Sequence, residues 1–361
     1  MHNVLVTGGA GFIGSNLIRH LLWAEPQLRI VNLDALTYAG STMNLDDLPD
    51  PSRHTFVRGD IGDRPLVERL LREHQIDAVV HLAAETHVDR SILGPAPFVQ
   101  TNIVGTFTLL EAARHFWIGE AAFPLDHVRF HHVSTDEVYG PLAPLDPAAV
   151  EDQAYRPTSP YAASKAAADH FVRAYGRTYG LPVTLSNCTN NYGPRQFPEK
   201  LVPLVLLNAV AGKPIPVYGD GQQVRDWIHV QDHCEAVEII LRRGRPGETY
   251  HVGGGAPSTN LALIQQLCAL LDDKRPNSPH RPHARLIQFV ADRPAHDRRY
   301  DLNLEKIAAT LDWSPRESLA SGLAKTAEWY LGHLEWVDSV RQQPGYVEWL
   351  ERNYGARERS A

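Results

Sequence analysis

Short runs of apolar residues alternate along the first half of the chain with longer segments whose apolar residues recur at helical spacing. The runs predict β-strands at 4–7, 29–33, 55–57, 78–82, 128–133 and 183–188. Helical patterns separate these strands. Regular strand–helix alternation predicts an α/β fold, in which a doubly wound parallel sheet has helices on both faces.

Polar or glycine-rich segments follow directly after the predicted strands. They occupy 8–14, 34, 60–61, 82–88, 134–139 and 187–194. In doubly wound sheets, ligands bind outside the carboxyl ends of the strands. We therefore expect these segments to build the functional site.

The segment after the first strand is a glycine turn. Gly9, Gly11 and Gly14 fit the spacing G-x-G-x-x-G, and Gly8, Gly11 and Gly14 fit the wider G-x-x-G-x-x-G. Without side chains, the backbone and the N-terminus of the next helix can approach a pyrophosphate closely. Because the turn joins a predicted strand to an amphipathic helix, it predicts a Rossmann-type dinucleotide site.

Asp34 ends the second predicted strand, twenty residues after Gly14. A carboxylate there can accept hydrogen bonds from the adenosine ribose hydroxyls and would repel a 2′-phosphate. No nearby arginine is expected to offset this repulsion, because Arg29 comes before the strand that Asp34 ends. Asp34 thus favours NAD over NADP; the alternative is a polar residue that begins a turn.

Composition narrows the function classes. The chain has 361 residues, 43% hydrophobic content and a formal charge of −7, which indicate roughly two domains and argue against nucleic acid as a partner. No signal-peptide core or membrane-spanning run is present in the sequence, so the cytoplasm is expected. Cys188, Cys234 and Cys268 lack the paired spacing of a zinc site, and we expect no metal.

Strand–helix alternation weakens after about residue 190, where prolines and glycines become more frequent. This change predicts a second, smaller α/β domain. We assign 1–190 to the Rossmann domain, together with a returning segment at 226–252, and 191–361 to a substrate-binding domain.

Tyr161 and Lys165 lie near the start of a predicted helix that Ser159 caps and Pro160 begins. At this i,i+4 spacing both side chains share a face, and the ammonium can lower the pKa of the phenol. A bound nicotinamide cation would lower it further. Such a tyrosinate could accept the proton of an alcohol; the alternative is an exposed Tyr/Lys pair.

Thr135, Asp136 and Glu137 follow the fifth strand and place two carboxyl groups at the same crevice. If the pKa of one is raised by burial or by its neighbour's charge, that group can donate a proton while the other acts as a base. A polar turn or helix N-terminus is the alternative.

Several phrases together resemble the extended short-chain dehydrogenase/reductase family and, within it, the 4,6-dehydratases that act on dTDP-glucose. They include TGGAGFIGSN from Thr7, HLAAETHVDRSI from His81, HHVSTDEVYG from His131, SPYAASKAAADH from Ser159 and NNYGPRQFPEKLVPL from Asn190. Further phrases are VYGDGQQVRDWIHVQDH from Val217 and ADRPAHDRRYDLN from Ala291. Two features depart from the family: the stretch 140–157 is short, and Thr86 replaces a serine.

The resemblance implies an NAD-dependent lyase with an internal redox cycle. Tyr161, with Lys165 and Thr135, would remove the proton of the 4-hydroxyl of dTDP-glucose while hydride passes to NAD. Glu137 would then take the carbon-5 proton while Asp136 protonates the departing 6-hydroxyl. Hydride return to carbon 6 completes the 4-keto-6-deoxy sugar. A homodimer, formed through helices near 98–117 and 161–179, is also implied.

The resemblance further implies two sets of contacts. For NAD they are Gly8, Gly11, Phe12, Ile13, Gly14, Asp34, Ala35, Leu36, Thr37, Asp60, Ile61, Leu82, Ala83, Ala84, Glu85, Thr101, Tyr161, Lys165 and Asn191. For the nucleotide sugar they are Thr86, Thr135, Asn190, Lys200, Leu201, Pro216, Val217, Tyr218, Arg225, Asn260, Arg293, Pro294, Ala295, His296 and Asp297. Lys200, Arg225 and Arg293 are suited to a diphosphate.

Other functions stay open at this point. A nucleotide-sugar 4-epimerase would need Tyr161 and Lys165 but not the pair Asp136 and Glu137. Dehydratases that act on GDP-mannose or CDP-glucose share the elimination chemistry. A non-catalytic NAD-sensing protein is a more remote alternative, because such proteins usually lose these residues. The sequence does not decide between thymidine and uridine.

Overall fold

A computed structural model describes residues 1–121 and 123–342 of the chain. Its strands are β1 (Asn3–Thr7), β2 (Arg29–Asp34), β3 (His54–Arg58), β4 (Ala78–His81), β5 (Arg129–Thr135), β6 (Val183–Cys188), β7 (Asn190–Tyr192), β8 (Ile215–Tyr218), β9 (Val224–Arg225), β10 (Trp227–His229), β11 (Thr249–Val252), β12 (Ser258–Thr259) and β13 (Ile287–Val290).

The α-helices are α1 (Phe12–Ala24), α2 (Arg64–Glu73), α3 (Val88–Leu93), α4 (Ala96–Phe98), α5 (Thr106–Arg114), α6 (Pro160–Tyr179), α7 (Leu201–Val210), α8 (Val230–Arg243), α9 (Asn260–Lys274), α10 (Glu305–Leu311), α11 (Leu319–Gly332) and α12 (Leu334–Arg341). Two π-helical segments, Val99–Gly105 and His115–Glu120, flank α5, and 3₁₀ turns occupy Thr42–Leu45, Pro51–Arg53, Asp136–Tyr139 and His283–Leu286.

Seven strands form one sheet in the order β11-β6-β5-β4-β1-β2-β3. Every neighbouring pair is parallel. The predicted doubly wound α/β fold is confirmed, and β11 adds an edge strand after β6. Because the strands are parallel, their carboxyl ends lie along one edge, where Thr7 is in register with both Leu33 and His81.

Helices cover both faces of this sheet. On one face α1 and α8 pack together, with Leu17, Leu21 and Val237 buried in a shared cluster. On the other face, α2 buries Leu70, α5 buries Leu110 and α6 buries Val172, all in one cluster. Burial of apolar surface on both faces holds the carboxyl edge in place.

A second core lies among α7, α9, α11 and α12, where Leu206, Leu267, Tyr330 and Trp336 are buried. Three two-stranded sheets accompany it: β7 with β10, β8 with β13, and β9 with β12. The division of the chain at residue 190 stays a prediction, and 343–361 of the assigned second domain lies outside the described residues. Across residues 1–121 and 123–342, no helix is both long and apolar enough to span a bilayer.

Candidate active site

A cavity of about 340 Å³ opens at the carboxyl edge of the sheet and is lined by residues that follow β1 to β6. Those among the predicted NAD contacts are Gly8, Gly11, Phe12, Ile13, Gly14, Asp34, Ala35, Thr37, Asp60, Ile61, Leu82, Ala83, Ala84, Glu85, Thr101, Tyr161, Lys165 and Asn191. Leu36 does not line the cavity; its N–H donates to Asp34 Oδ1 at 2.7 Å.

The glycine turn is shaped by close backbone approach. A Cβ on Gly8, which has φ +74°, would lie 2.8 Å from the Cα of Ala83, and a Cβ on Gly14 would overlap the carbonyl oxygen of Gly8. Gly11 caps α1 without a side-chain hydrogen bond. The first N–H groups of α1 are therefore left to bind an anion such as a pyrophosphate, and the turn fits a dinucleotide.

Asp34 is fixed by two backbone groups. Its Oδ2 accepts from the N–H of Ala10 at 2.9 Å, and its Oδ1 accepts from Leu36. Burial raises the pKa of this carboxyl, while both N–H groups favour its ionised form. The sequence did not indicate one neighbouring arginine: Arg58 on β3 is in register with Asp34. Arg58 is exposed and does not line the cavity.

Helix α6 begins as predicted, because Ser159 Oγ accepts from the N–H of Ala162 at 3.1 Å. It places Tyr161 and Lys165 on the buried face, and both line the cavity. Lys165 Nζ donates to the carbonyl oxygen of Val133 at 2.9 Å. The phenol itself differs from the expectation: burial raises the pKa of Tyr161 well above its usual value, and Thr135 opposes this shift through a hydrogen bond.

Asp136 and Glu137 lie in the 3₁₀ turn that directly follows β5, where Thr135 Oγ1 accepts from the N–H of Glu137 at 3.3 Å. Thr135 Oγ1 also donates to Asp136 Oδ1 at 3.1 Å. Burial, reinforced by the charge of Glu137, raises the pKa of Asp136 to about 8. Asp136 therefore holds a proton at neutral pH and can act as an acid.

Glu137 has different neighbours. Burial raises the pKa of its carboxyl too, but Arg293, Arg225 and Lys200 oppose that shift. These cations favour the carboxylate, which can act as a base. The two adjacent carboxyl groups can thus divide the roles of acid and base.

Of the predicted sugar-nucleotide contacts, Thr86, Thr135, Asn190 and Lys200 line the cavity. The remaining eleven do not line it: Leu201, Pro216, Val217, Tyr218, Arg225, Asn260, Arg293, Pro294, Ala295, His296 and Asp297. Val217 is buried in the second core, so its side chain is a packing residue.

Several of these residues nevertheless contact one another or share a partner. Arg293 Nη1 donates to Asp89 Oδ1 at 3.2 Å, and the hydroxyl of Tyr218 donates to Asp89 Oδ2 at 3.2 Å. Arg225 Nη2 donates to the carbonyl oxygen of Asp297 at 2.9 Å. The charges of both arginines lower the pKa of Glu137, so they lie close enough to act on the acid–base pair.

Sequence reasoning missed Asp89 and Tyr38. Asp89 is buried on α3 and joins Arg293 to Tyr218. Tyr38 lines the cavity, and the Arg90 guanidinium lies 3.8 Å from the centre of its ring. Asp89 occurs within the phrase from His81, but its partners are about 130 and 200 residues away, so local spacing gives no signal for it.

The parallel sheet, the glycine turn and the Tyr161/Lys165 helix define a dehydrogenase/reductase-type dinucleotide-binding protein. Comparison with known proteins narrows this class. A family described as GDP-mannose 4,6 dehydratase matches residues 5–326. The chain is 50% identical over 363 aligned positions to dTDP-glucose 4,6-dehydratase 1 of Escherichia coli K12, covering 98% of this chain and 99% of that protein. It is 54% identical to dTDP-glucose 4,6-dehydratase of Xanthomonas campestris, and the match covers 93% of this chain and 95% of that protein.

Solved structures agree. The structure of dTDP-glucose 4,6-dehydratase from Streptomyces venezuelae with NAD and TYD bound is 45% identical, with a TM-score of 0.84, covering 94% of this chain and 99% of that one. The structure of UDP-glucose 4-epimerase of Thermotoga maritima is 29% identical, with a TM-score of 0.79, and the match covers 92% of this chain and 99% of that one. The chain belongs to the dTDP-glucose 4,6-dehydratase family of extended short-chain dehydrogenase/reductases.

Proposed function

We propose that this protein is an NAD-dependent hydro-lyase that converts dTDP-glucose to dTDP-4-keto-6-deoxyglucose and water. The observation that carries the proposal is the pair Asp136 and Glu137 in the same cleft as Tyr161 and Lys165. Oxidation at carbon 4 needs one base, and elimination across carbons 5 and 6 needs an acid and a second base. The relatives that share about half of this sequence carry the same name, which supports this substrate.

NAD, held at the glycine turn and Asp34, supplies reversible hydride acceptance when bound. Tyr161 takes the proton of the 4-hydroxyl as a phenolate, which the charges of Lys165 and of a bound nicotinamide would favour against the effect of burial, and Thr135 forms a hydrogen bond with it. The resulting ketone acidifies the hydrogen on carbon 5, which Glu137 removes. Asp136 then gives its proton to the departing 6-hydroxyl, so that water leaves. Hydride return to carbon 6 and protonation of carbon 5 then give the 4-keto-6-deoxy sugar and leave the cofactor oxidised, as it was at the start.

For the substrate, we propose that Thr86, Thr135 and Asn190 contact the sugar and that Lys200, Arg225 and Arg293 bind the diphosphate. Arginine forms a fork that matches phosphate oxygens, and lysine supplies a point charge. The electrostatic effect of both arginines on Glu137, which indicates that their charges lie near the acid–base pair, supports this assignment. The predicted boundary at residue 190 would then separate the cofactor side from the nucleotide-sugar side.

The test is incubation of the purified protein with dTDP-glucose and no added hydride acceptor. We expect a product lighter by one water, without net release of NADH. GDP-mannose, CDP-glucose and UDP-glucose are run in parallel as matched substrates. Formation of a 4-epimer without loss of water would reject the dehydratase reaction, and faster turnover of another nucleotide sugar would reject the substrate.

We also propose a homodimer in the cytoplasm. Val99, Val104, Phe107 and Phe171 are 50%, 38%, 41% and 39% exposed on the helical segments near α5 and on α6, and the rings of Phe107 and Phe171 lie 6.1 Å apart. Such an apolar patch supports a protein interface. Sedimentation of the wild type and of Phe107→Glu tests the dimer: the variant should be monomeric, and a monomeric wild type would refute the dimer.

The proposed location rests on the cysteines. The three free, buried cysteines fit a reducing compartment.

A further inference from the structure

Helix α6 carries Tyr161, Lys165 and Asp169 at four-residue intervals, so that the three side chains lie along one face of the helix. All three are buried, and Asp169 has no exposed surface. Tyr161 and Lys165 belong to the proposed chemistry. Asp169 has no role in that chemistry, yet burying a carboxylate completely costs free energy of folding unless the charge is paired.

The imidazole of His132 lies between Asp169 and Lys165. Its Nε2 is 3.2 Å from Asp169 Oδ1 and 3.3 Å from Lys165 Nζ. The ammonium also donates to the carbonyl oxygen of Val133, the next residue on β5. Lys165 is thus held from two consecutive residues of the central sheet, one of which contacts Asp169.

The second carboxylate oxygen of Asp169 is held by three donors. Asp169 Oδ2 accepts from Tyr155 OH at 2.8 Å, Ser134 Oγ at 2.9 Å and Asn187 Nδ2 at 3.3 Å. Asn187 Nδ2 also donates to the carbonyl oxygen of Thr135 at 3.1 Å. The carboxylate is therefore fixed relative to the residues that precede the acid–base pair.

Charge explains why a carboxylate is needed at this position. Burial lowers the pKa of Lys165, and the negative charge of Asp169 opposes this shift. Burial would raise the pKa of Asp169, but His132, Lys165 and Ser134 hold it below its ordinary value. Burial and the charge of Lys165 lower the pKa of His132 to about 4, so the imidazole is neutral at neutral pH. Asp169 is accordingly the counter-charge of the buried ammonium.

We propose that Asp169 is a positioning residue that acts through Lys165, keeping the buried ammonium charged and directed at the Val133 carbonyl, in the cavity that Lys165 and Tyr161 both line. The inference rests on the proposed function, since the step it supports is proton removal from the 4-hydroxyl by Tyr161. An ammonium in this place stabilises the phenolate that forms there. A neutral amine would not.

The first test needs no substrate. The lysines of the chain are Lys165, Lys200, Lys213, Lys274, Lys306 and Lys325, and ¹³Cε-lysine labelling resolves each by NMR, with Lys165→Gln assigning its signal. In the wild type, the Lys165 signal should titrate well above pH 7. In Asp169→Asn it should titrate at least about one pH unit lower, as expected for loss of a nearby opposite charge. A wild-type Lys165 that titrates below pH 7 would overturn the proposal even if the variant fails to fold.

The second test measures turnover of dTDP-glucose against pH. The charged or titratable groups that face Lys165 and Asp169 are, from the packed segments, His81, His132, Tyr139, Tyr155 and Cys188 and, from α6 itself, Arg173. We expect Asp169→Asn to lower kcat at least about tenfold with little change in KM. When carbon-4 oxidation is measured separately by the absorbance of the reduced nicotinamide, its alkaline limb should move to lower pH, whereas the limb of elimination, which Asp136 sets, should stay in place. An unchanged alkaline limb of carbon-4 oxidation would overturn the proposal.

Asp77→Asn is the matched control. Asp77 is another buried carboxylate, which accepts from the N–H groups of His2 at 2.6 Å and Asn3 at 3.1 Å at the opposite edge of the sheet. It should lower the melting temperature without moving the pH profile. If wild-type protein does not dehydrate dTDP-glucose, the proposed function fails, while the NMR titration still decides the role of Asp169.

Discussion

Asp136 and Glu137 are consecutive residues whose carboxyl groups meet different surroundings. Asp136 Oδ2 is buried and has no hydrogen-bond partner within residues 1–121 and 123–342, whereas Arg293, Arg225 and Lys200 stabilise the charge of Glu137. The charge of Glu137 in turn raises the pKa of Asp136. Glu137 therefore helps Asp136 to hold the proton that an acid needs, while the three cations favour the charged form of Glu137.

The raised pKa of Asp136 predicts a pH dependence of turnover. An acid with a pKa of about 8 is protonated below that value and loses its proton as pH rises through it. We expect the elimination step to slow above about pH 8. In transient kinetics, oxidation at carbon 4 can be monitored through the absorbance of the reduced nicotinamide. The rate of this step should persist at alkaline pH values at which the rate of elimination has already fallen. Equal loss of both steps would contradict this assignment.

The same shift predicts a stability effect. A carboxyl that titrates at 3.8 when unfolded and near 8 when folded binds its proton more tightly in the folded state. The free energy of unfolding therefore falls as pH rises between these values. Asp136→Asn should melt at a higher temperature than the wild type near pH 8, and the difference should shrink towards pH 4. A difference independent of pH would contradict the shift.

Substitution of the acid and of the base should separate the partial reactions. Asp136→Asn should lower dehydration by about 10²–10⁴-fold, the usual contribution of a positioned acid, while substrate still reduces the cofactor. Glu137→Gln should in addition abolish exchange of the carbon-5 hydrogen with deuterated water. The exposed Asp126→Asn serves as the control. Retention of this exchange in Glu137→Gln would exclude Glu137 as the base.

The glycine turn should not tolerate a methyl group at Gly14. A Cβ there overlaps the Gly8 carbonyl oxygen, so Gly14→Ala must displace the start of α1. We expect loss of NAD binding, measured by calorimetry, and a lower melting temperature. Gly332→Ala is the control, because a Cβ there meets nothing within 4 Å. Unchanged NAD affinity in Gly14→Ala would contradict the site.

Cofactor preference should depend on Asp34. Asp34→Asn removes the charge that repels a 2′-phosphate, so binding of NADP relative to NAD should rise about tenfold or more. Arg58, in register with Asp34 on β3, would then support the phosphate. Asp34→Asn combined with Arg58→Ala should lose most of that gain. If Asp34→Asn leaves the ratio of the two affinities unchanged, Asp34 does not select the cofactor.

Local sequence determined the framework. The period of the apolar runs identified the parallel strands, and Gly8, Gly11 and Gly14 located the dinucleotide turn, because both signals lie within a few consecutive residues. Ser159 identified the start of α6 for the same reason. The phrase around Thr135, Asp136 and Glu137 identified the family.

The electrostatics of the site could not be predicted from local sequence. Nothing near Asp136 in the chain indicates that its Oδ2 is buried without a partner, and the pairing of Asp89 with Arg293 joins residues 204 positions apart. Burial also reversed the expected pKa shift of Tyr161.

The physical reason is the range of the interactions. Periodicity and turn chemistry act between neighbouring residues and can be read along the chain, whereas desolvation and charge–charge interactions depend on which distant segments pack together. Local sequence is therefore enough to predict the sheet, the cofactor turn and the set of reactive side chains. Which of those side chains holds a proton and which holds a charge depends on how the chain packs.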